Sequence, residues 1–345
     1  MNNTNNMEMN DSKKIYYKGI YNNIFQRAKE YFQSNNIKSM VLGISGGIDS
    51  ALTAVLASEI GYNLGIPLIG ISMPASTNKD DENLSAELSM KLCDNADAFN
   101  IQNLYNIFSH SINSFIGIDD KNIKAIPEGN IKARIRMMIL YHIAWMYSGI
   151  VLDTDNKTEF LTGFWTRHGD DGDFGFFAQL YKHEIYEFAD YLIGVYTDKC
   201  KELLIPDINL NTSMNDLINQ LSPDKKVMYD KYLNYIMALS TAKKLVPTDG
   251  NGVSKSDLDQ IMPGHTYDDV DDILKKYEDY PDMRKVPSLK YEYLIPLYKK
   301  YGEDDVNKLL DRVDKTEFKR KHLPLTINLK GTYNGVVGSN EEIYN

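Results

Sequence analysis

Cysteine is scarce in this chain of 345 residues, which contains only Cys93 and Cys200. Two cysteines this far apart give neither a disulfide framework nor the spacing of a zinc site, and they favour a reducing compartment. Basic residues are outnumbered as well, because 38 Lys and Arg face 48 Asp and Glu for a net charge of −10. An acidic chain argues against general binding to nucleic-acid backbones.

Long apolar runs are also missing, and the first residues lack a basic segment followed by an apolar one. We therefore expect no membrane span and no secretion signal, and we predict a cytoplasmic protein. The sequence has no internal repeat. A hydrophobic content of 43% and a charged content of 25% are ordinary for a globular protein.

Two periodicities alternate through the first half of the chain. Apolar runs at residues 40–42, 66–73 and 99–104 are typical of buried strands, and residues 84–92 and 107–115 have helical spacing. This alternation predicts an α/β fold with a doubly wound parallel sheet, Rossmann-like, flanked by helices. In such sheets ligands bind beyond the carboxyl ends of the strands.

The second half begins with a helical segment at 130–145, a strand at 150–152 and a helix at 182–192. Further helical patterns follow without strands, and they predict extra C-terminal helices. The acidic run 268–272 is interpreted as a solvated helix start. We predict a single α/β domain at residues 12–330, which includes a helical or loop insertion at 218–262. A disordered tail at 1–11 would precede the domain, and a C-terminal tail at 331–345 would follow it.

A loop rich in Gly and Ser links the first strand to the helix that follows. Glycines let the backbone approach a ligand closely, and a helix N-terminus offers unpaired N–H groups to an anion. The loop is not a Walker motif, because no Gly-Lys-Ser/Thr follows. Its order, SGGxDS, resembles the pyrophosphate loop of the ATP pyrophosphatases, which split ATP into AMP and pyrophosphate. The predicted ATP-binding residues here are Gly43, Ile44, Ser45, Gly46, Gly47, Ile48, Asp49 and Ser50.

This loop alone fits several families, among them tRNA-modifying enzymes, asparagine synthetase and GMP synthetase. Later segments narrow the choice. Residues 129–137 (GNIKARIRM) resemble the GN-x-x-AR-x-R-M helix of NAD synthetases, and residues 161–170 (LTGFWTRHGD) resemble their TGF-x-TKYGD segment. Residues 264–271 (GHTYDDVD) are similar to the family's Gly-x-TY-x-x-ID element, and residues 317–320 (EFKR) to its EHKR. The pieces occur in family order.

The resemblance implies an ammonia-dependent NAD+ synthase. Such an enzyme would use ATP to adenylate the nicotinate carboxylate of deamido-NAD+, and ammonia would then displace AMP. Adenylation supplies the leaving group that a carboxylate lacks. The family also implies Mg²⁺, which would offset phosphate charge, and a homodimer with the dinucleotide at the subunit interface.

Individual residues are assigned by the same resemblance. Asp49 and Glu159 are the expected Mg²⁺ ligands, and Asp49 beside a phosphate itself calls for a cation. Thr154 and Lys182 are expected to contact ATP. The family's Pro-Ser/Thr-Ala element is poorly kept, and Ser213, or else Thr212, is the expected donor from it.

The expected deamido-NAD+ contacts lie further along the chain. They are Arg134, Arg167 in place of the family's Lys, Asp173, Phe318 in place of its His, and Lys319. Arg134 suits a phosphate because a guanidinium can donate two parallel hydrogen bonds, whereas Arg136 has a structural alternative.

The predicted catalytic residues are Asp173, Asp49 and Lys182. Asp173 is a hypothetical binding group for ammonium. Its register depends on a loop one residue shorter than usual, and Asp170 and Asp171 leave that register open.

Ammonia is the expected nitrogen donor, because the segment before residue 40 is too short for an amidase domain. A separate glutaminase partner stays an alternative. We expect only small-molecule partners besides a second copy, with no nucleic acid and no membrane. Two other readings remain open: a tRNA-modifying adenylating enzyme, and a non-catalytic nucleotide-binding relative.

Overall fold

The fold is an α/β sandwich built on one parallel sheet. The computed structural model describes residues 9–75, 79–117, 125–204, 214–245 and 256–320. Its strands are β1 (Ser39–Gly43), β2 (Leu68–Ser72), β3 (Asn95–Ala98), β4 (Gly149–Asp153) and β5 (Phe174–Gly175). They pair in the order β3-β2-β1-β4-β5, and every pairing is parallel. The predicted fold class is confirmed.

Helices separate the strands and continue beyond the sheet. Those of the sheet region are α1 (Asp11–Ser34), α2 (Ile48–Leu64), α3 (Lys79–Leu92), α4 (Gln102–Ile116), α5 (Ala125–Met146), α6 (Lys157–Thr162) and α7 (Lys182–Leu204). Those that follow are α8 (Met214–Gln220), α9 (Pro223–Ala242), α10 (Asp257–Ile261), α11 (Tyr267–Asp279), α12 (Pro287–Leu289) with the π-helical turn Lys290–Leu294, α13 (Ile295–Tyr301), α14 (Glu303–Lys315) and α15 (Glu317–Arg320). Among these described residues, no helix combines the length and apolar character that crossing a membrane requires.

The sheet alternates its side chains between two apolar layers. Met40 and Leu42 of β1 pack against α1, α2, α7 and α9, whereas Val41 packs on the opposite side with residues of α4 and α5. Successive residues of a strand point to opposite faces, so a strand buried on both sides needs a continuous apolar run. This is why β1 could be read from the sequence.

The strand order reverses between β1 and β4. From β1 the chain builds outward through β2 and β3, and it then returns to place β4 on the other side of β1. Loops that follow the two central strands therefore diverge and leave a crevice between them, which is where open α/β sheets bind ligands. The β1–α2 loop and the β4–α6 loop border this crevice.

Two local predictions were wrong. Residues 99–104 form no strand: β3 is Asn95–Ala98, and α4 begins at Gln102. All four residues of β3 are exposed at the sheet edge, so the strand has no apolar run to reveal it. The predicted disordered tail also ended too late, because α1 begins at Asp11 and the side chain of Asn10 caps it by accepting from the Lys13 N–H at 2.9 Å.

The helices after β5 fall into two groups. Tyr235 and Leu239 of α9 lie in the main core beside α2 and α7, so the described part of segment 218–262 contributes to that core. Helices α10 to α14 form a second core around Val270, Leu274 and Leu309. This second core also includes Tyr181, which precedes α7, and Leu161 of α6 packs against it. The second core therefore packs against α6 and the start of α7 and supports both.

Candidate active site

The β1–α2 loop has the geometry of an anion-binding turn. Gly46 has a φ of 94°, a conformation that favours glycine. Ser45 is exposed and its Oγ lies 3.1 Å from the Oγ of Ser50, which donates to the Gly47 carbonyl at 3.0 Å. The first backbone N–H groups of α2 are thereby presented at the carboxyl end of β1.

The structure brings Lys182, Asp49 and Glu159 together. The Lys182 ammonium, at 1% exposure, is ion-paired with the Asp49 carboxylate and donates to Glu159 Oε1 at 3.0 Å. Asp49 lies in the first turn of α2, Glu159 lies in the first turn of α6, and Lys182 begins α7. Three helix starts thus converge on one point at the crevice. The three residues, which the sequence analysis assigned to the site one by one, form a single cluster in the structure.

Asn156 was missed by the sequence analysis, and it fixes this cluster. Its side-chain amide donates to Asp49 Oδ1 at 3.0 Å, and its side-chain oxygen accepts from the Glu159 N–H at 3.1 Å. Glu159 Oε2 accepts from the Asn156 N–H at 3.2 Å in return, which completes a capping box. The spacing N-x-x-E is visible in the sequence and could have been recognised as this signal.

Asp271 is a second missed residue, and its burial corrects the interpretation of run 268–272 as solvated. It is fully buried on α11 and accepts from Thr158 Oγ1 at 2.5 Å and from the His183 N–H at 2.9 Å. Thr158 Oγ1 also accepts from the Lys182 N–H at 2.8 Å. Asp271 therefore holds the starts of α6 and α7 in register.

The buried carboxylates of the site have shifted pKa values. Burial raises the pKa of Glu159 to about 7, although Lys182 opposes the rise. Burial would lower the pKa of Lys182, but Asp49 and Glu159 outweigh it and hold that pKa well above its usual range. Burial also raises the pKa of Asp153 to about 6, and burial with Asp153 and Glu159 raises that of Asp155. The carboxylates are thus held in a dry environment that disfavours their charged forms, and neighbouring carboxylates add to the rise.

The donor set fits a magnesium ion. Mg²⁺ is usually held by one or two carboxylates together with substrate phosphates, and it prefers oxygen ligands. Asp49 and Glu159 supply two carboxylates beside the anion-binding loop. Within the described residues no group of three or more His, Cys, Asp or Glu is arranged for an all-protein metal site.

Three of the expected dinucleotide residues lie on α5 or are hydrogen-bonded to it. The Nε of Arg134 donates to the Arg167 carbonyl at 3.2 Å, and Tyr141 donates to Asp173 Oδ1 at 3.0 Å. Asp173 Oδ2 accepts from the Val151 N–H at 3.0 Å. In the described residues no hydrogen bond or ion pair joins Asp173 to the Lys182 cluster. Arg136 points inward and donates to the Met73 carbonyl at 3.0 Å, as its structural alternative predicted.

Lys319 supports the loop between α6 and β5. Its ammonium donates to the carbonyls of Gly163 at 2.7 Å and Trp165 at 2.6 Å. Burial, followed by Arg312 and Arg134, lowers the pKa of this amine. Phe318 is 54% exposed on the same short helix.

Other predicted residues have different surroundings. Ile44 and Ile48 are buried in the main core, so only their backbones face the crevice. Gly43 closes β1, and Thr154 lies in the β4–α6 loop. Ser213 and Thr212 lie outside the described residues.

A parallel sheet with a glycine-bearing anion loop at its switch point defines an α/β nucleotide-binding protein. Comparison with known proteins then identifies the family. Residues 20–207 match the family model described as NAD synthase. The chain is 30% identical over 295 residues to an NH(3)-dependent NAD(+) synthetase of Thermoplasma volcanium, covering 84% of this chain and 90% of that protein. It is 32% identical over 219 residues to an NH(3)-dependent NAD(+) synthetase of Finegoldia magna, covering 62% of this chain and 82% of that protein. The chain belongs to the NAD synthase family, whose members are ATP-using ligases that form a carbon–nitrogen bond.

A solved structure shares the fold over most of the chain. The NMN synthetase of Francisella tularensis superimposes with a TM-score of 0.60 at 24% identity, covering 92% of this chain and all of that one. At this identity the likeness establishes the architecture. The sheet of this chain therefore has a known arrangement, and the C-terminal helices are added to it.

Proposed function

We propose that this protein is an ammonia-dependent NAD+ synthase that amidates deamido-NAD+ with ATP and Mg²⁺. The relatives named NH(3)-dependent NAD(+) synthetase support the proposal, as does the grouping of Asp49, Glu159 and Lys182 at the anion loop. That grouping is the observation on which the proposal rests.

The charge of the cluster explains how it would bind a nucleotide. Two carboxylates and one ammonium leave one negative charge, which repels a triphosphate. A divalent cation would reverse the sign, and its chemistry is to neutralise phosphate charge while the diphosphate leaves. Asp49 and Glu159 would hold it, and the buried Lys182 would stay charged beside it.

The first half-reaction is adenylation. A carboxylate oxygen of the nicotinate attacks the α-phosphorus of ATP, the bond to the β-phosphate oxygen breaks, and pyrophosphate leaves. The N–H groups at the start of α2 and the hydroxyl of Ser45 are placed to hold the departing diphosphate. The products are the acyl adenylate and pyrophosphate.

The second half-reaction is amidation. The lone pair of ammonia attacks the acyl carbon, the bond to AMP breaks, and one proton is lost. Because ammonia is mostly ammonium at neutral pH, a carboxylate near the entry path would bind ammonium and accept the proton that it loses before attack, and the proton lost on amide formation would pass to solvent. We propose Asp173 for this role, and its bonds to Tyr141 and to the Val151 N–H fix its carboxylate at the edge of β4.

A homodimer is also part of the proposal. Helices α4 and α5 expose a band of large apolar side chains of a kind that monomers rarely leave in water. Its members with more than half their surface exposed are Ile107, Phe108, Phe115, Ile116, Met138, Trp145 and Met146. On α5 the exposed residues Arg134, Met138, Tyr141 and Trp145 share one helical stripe, so the band adjoins the expected dinucleotide contacts.

Sedimentation analysis tests the dimer. The native chain should sediment at twice its 39.4 kDa mass, and Phe115→Asp, at an 87% exposed position, should shift it to the monomer. Lys29→Asp on α1, remote from the band, is the control. A native protein that sediments as a monomer at micromolar concentration would refute this part.

Turnover assays test the activity. Purified protein with ATP, Mg²⁺, deamido-NAD+ and ammonium chloride should form NAD+, AMP and pyrophosphate in equal amounts. Glutamine in place of ammonium should support little amidation. Pyrophosphate release that requires tRNA would favour a tRNA-modifying enzyme, and no release with any acceptor would favour a non-catalytic relative.

A further inference from the structure

Several polar groups of the segment between α6 and β5 have hydrogen-bond partners on neighbouring helices. Lys319 donates to the carbonyls of Gly163 and Trp165. The Thr166 N–H donates to Asp170, and its hydroxyl donates to Asn130 Oδ1 at 2.8 Å. The loop is therefore held from α5 on one side and α15 on the other.

One donor in this loop is left over. Trp165 is 8% exposed, and its indole Nε1–H is buried without a hydrogen-bond partner among the described residues. Indole N–H is a donor only, and buried Trp normally finds an acceptor. An unpaired buried donor costs stability, so this group calls for an explanation. The Oδ1 of Asp171 in the same segment is also buried without a hydrogen-bond partner among the described residues, and as an acceptor it does not account for a cation or an N–H that lacks one.

The surroundings of the indole favour an anionic acceptor. The Lys319 ammonium lies 5.8 Å from the ring centroid, and Phe160 stacks parallel to the ring at 6.5 Å. Arg134, whose Nε donates to the Arg167 carbonyl of this loop, makes no hydrogen bond through its two terminal nitrogens within the part of the chain that the structure describes. Arg134 of α5 and Lys319 of α15 thus reach this loop without an ion-pair partner among the described residues, although Asp170 lies near enough to Lys319 to act on its pKa.

We propose that Trp165 is a specificity-determining residue whose indole N–H donates to an anionic oxygen of the bound deamido-dinucleotide. This inference rests on the proposed function and adds a contact to it. The acceptor is a nicotinate carboxylate oxygen or a diphosphate oxygen. Because ATP is bound at the Lys182 cluster, the contact affects recognition of the dinucleotide and leaves recognition of ATP unchanged.

The test uses Trp165→Phe, which keeps an aromatic ring and removes the donor. A hydrogen bond to a charged acceptor contributes about 1.5–3 kcal/mol, which corresponds to roughly ten- to hundred-fold in affinity. We expect the KM for deamido-NAD+ to rise by about this factor while the KM for ATP stays unchanged. Thermal melting without ligand checks that the variant is folded.

Indole NMR gives a readout that a purely structural role would not move. In ¹⁵N-labelled protein, the Nε1–H signal absent from Trp165→Phe identifies Trp165, since the chain has two tryptophans. Deamido-NAD+ should shift this proton signal downfield, and ATP with Mg²⁺ alone should not.

Binding of NAD+, which has a carboxamide in place of the carboxylate, separates the two acceptors. If the substitution weakens deamido-NAD+ more than NAD+, the acceptor is the carboxylate; equal weakening indicates the diphosphate. Three results together would overturn this inference alone: the native protein turns over deamido-NAD+, Trp165→Phe has an unchanged KM for it, and the indole signal does not shift. Native protein without turnover or binding of deamido-NAD+ would overturn the proposed function with it.

Discussion

The two sides of the proposed active site differ in how far the protein satisfies its own polar groups. On the nucleotide side, Lys182 is buried between Asp49 and Glu159, and Asn156 fixes both carboxylates. On the dinucleotide side, Arg134 is exposed and the Trp165 N–H is unpaired among the described residues. The first arrangement is preorganised before binding, whereas the second is completed by a ligand and, as proposed, by a second copy.

Loss of Lys182 should have the largest effect. Lys182→Met leaves two neighbouring carboxylates without their shared cation, which weakens phosphate binding and stability together. We expect kcat/KM to fall about 10³-fold, as when one preorganised charge donor is removed from an active site. The measurement is pyrophosphate release under conditions where circular dichroism shows a folded chain.

Lys199→Met is a matched control for this loss. Lys199 on α7 pairs with the buried Glu59 at 2.7 Å, away from the crevice. Its removal should lower the melting temperature and leave kcat/KM nearly unchanged. Equal activity losses in the two variants would show that Lys182 acts through stability alone.

Loss of Arg134 should have a smaller and more selective effect. Arg134→Ala removes a guanidinium from the exposed face of α5, and we expect the KM for deamido-NAD+ to rise about ten- to hundred-fold with the KM for ATP unchanged. Arg27→Ala, at an exposed ion pair on α1, is the control. Parallel rises in both KM values would contradict a separation between the two sides.

Asp173 offers a test between the two half-reactions. Asp173→Asn keeps an acceptor for Tyr141 and removes the charge that would attract ammonium. We expect amidation to slow about ten-fold, which is less than one acid–base group usually contributes. Adenylation, measured by pyrophosphate exchange, should be little affected. An equal loss in both steps would count against the ammonium role.

Features encoded by nearby residues could be predicted from the sequence. The buried strands β1 and β2, the anion loop and helix α7 have local signals, because apolar runs, glycines and helical spacing report on their own segment. The edge strand β3 has no such signal. Its exposed residues depend on pairing with β2, and that pairing is a property of the folded sheet.

The site could be predicted only in part. Asp49, Glu159 and Lys182 were assigned through family resemblance, and the structure confirms that they are neighbours. Asp271 was misread because its neighbours in run 268–272 suggest solvent exposure, and its partners Thr158 and His183 lie far away in the sequence. The roles of Arg167, Phe318 and Thr154, the domain bounds other than the end of the first tail, and the cytoplasmic location stay predictions.

The weakest expected effect concerns pH, and it sharpens the contrast because, among the residues that the structure describes, the nucleotide side has a buried carboxylate paired with a buried amine and the dinucleotide side has none. Burial raises the pKa of Glu159 to about 7, above the ordinary value of 4.5 that an unfolded chain has. Between these pH values the folded state binds more protons, so this group's contribution to the free energy of unfolding falls as pH rises. One proton corresponds to a slope of at most about 1.4 kcal/mol per pH unit.

Glu159→Gln removes that titration. Denaturant unfolding in EDTA, without nucleotide, should show a stability loss between pH 5 and 8 that is shallower in the variant than in the native chain. Glu87→Gln, at an exposed site on α3, should leave the native slope in place. With saturating Mg²⁺ the native slope should flatten, because a cation that binds ionised Glu159 stabilises the folded state more as pH rises. A variant with the full native slope would place the titrating group elsewhere, with Asp153 and its pKa of about 6 as the next group to replace.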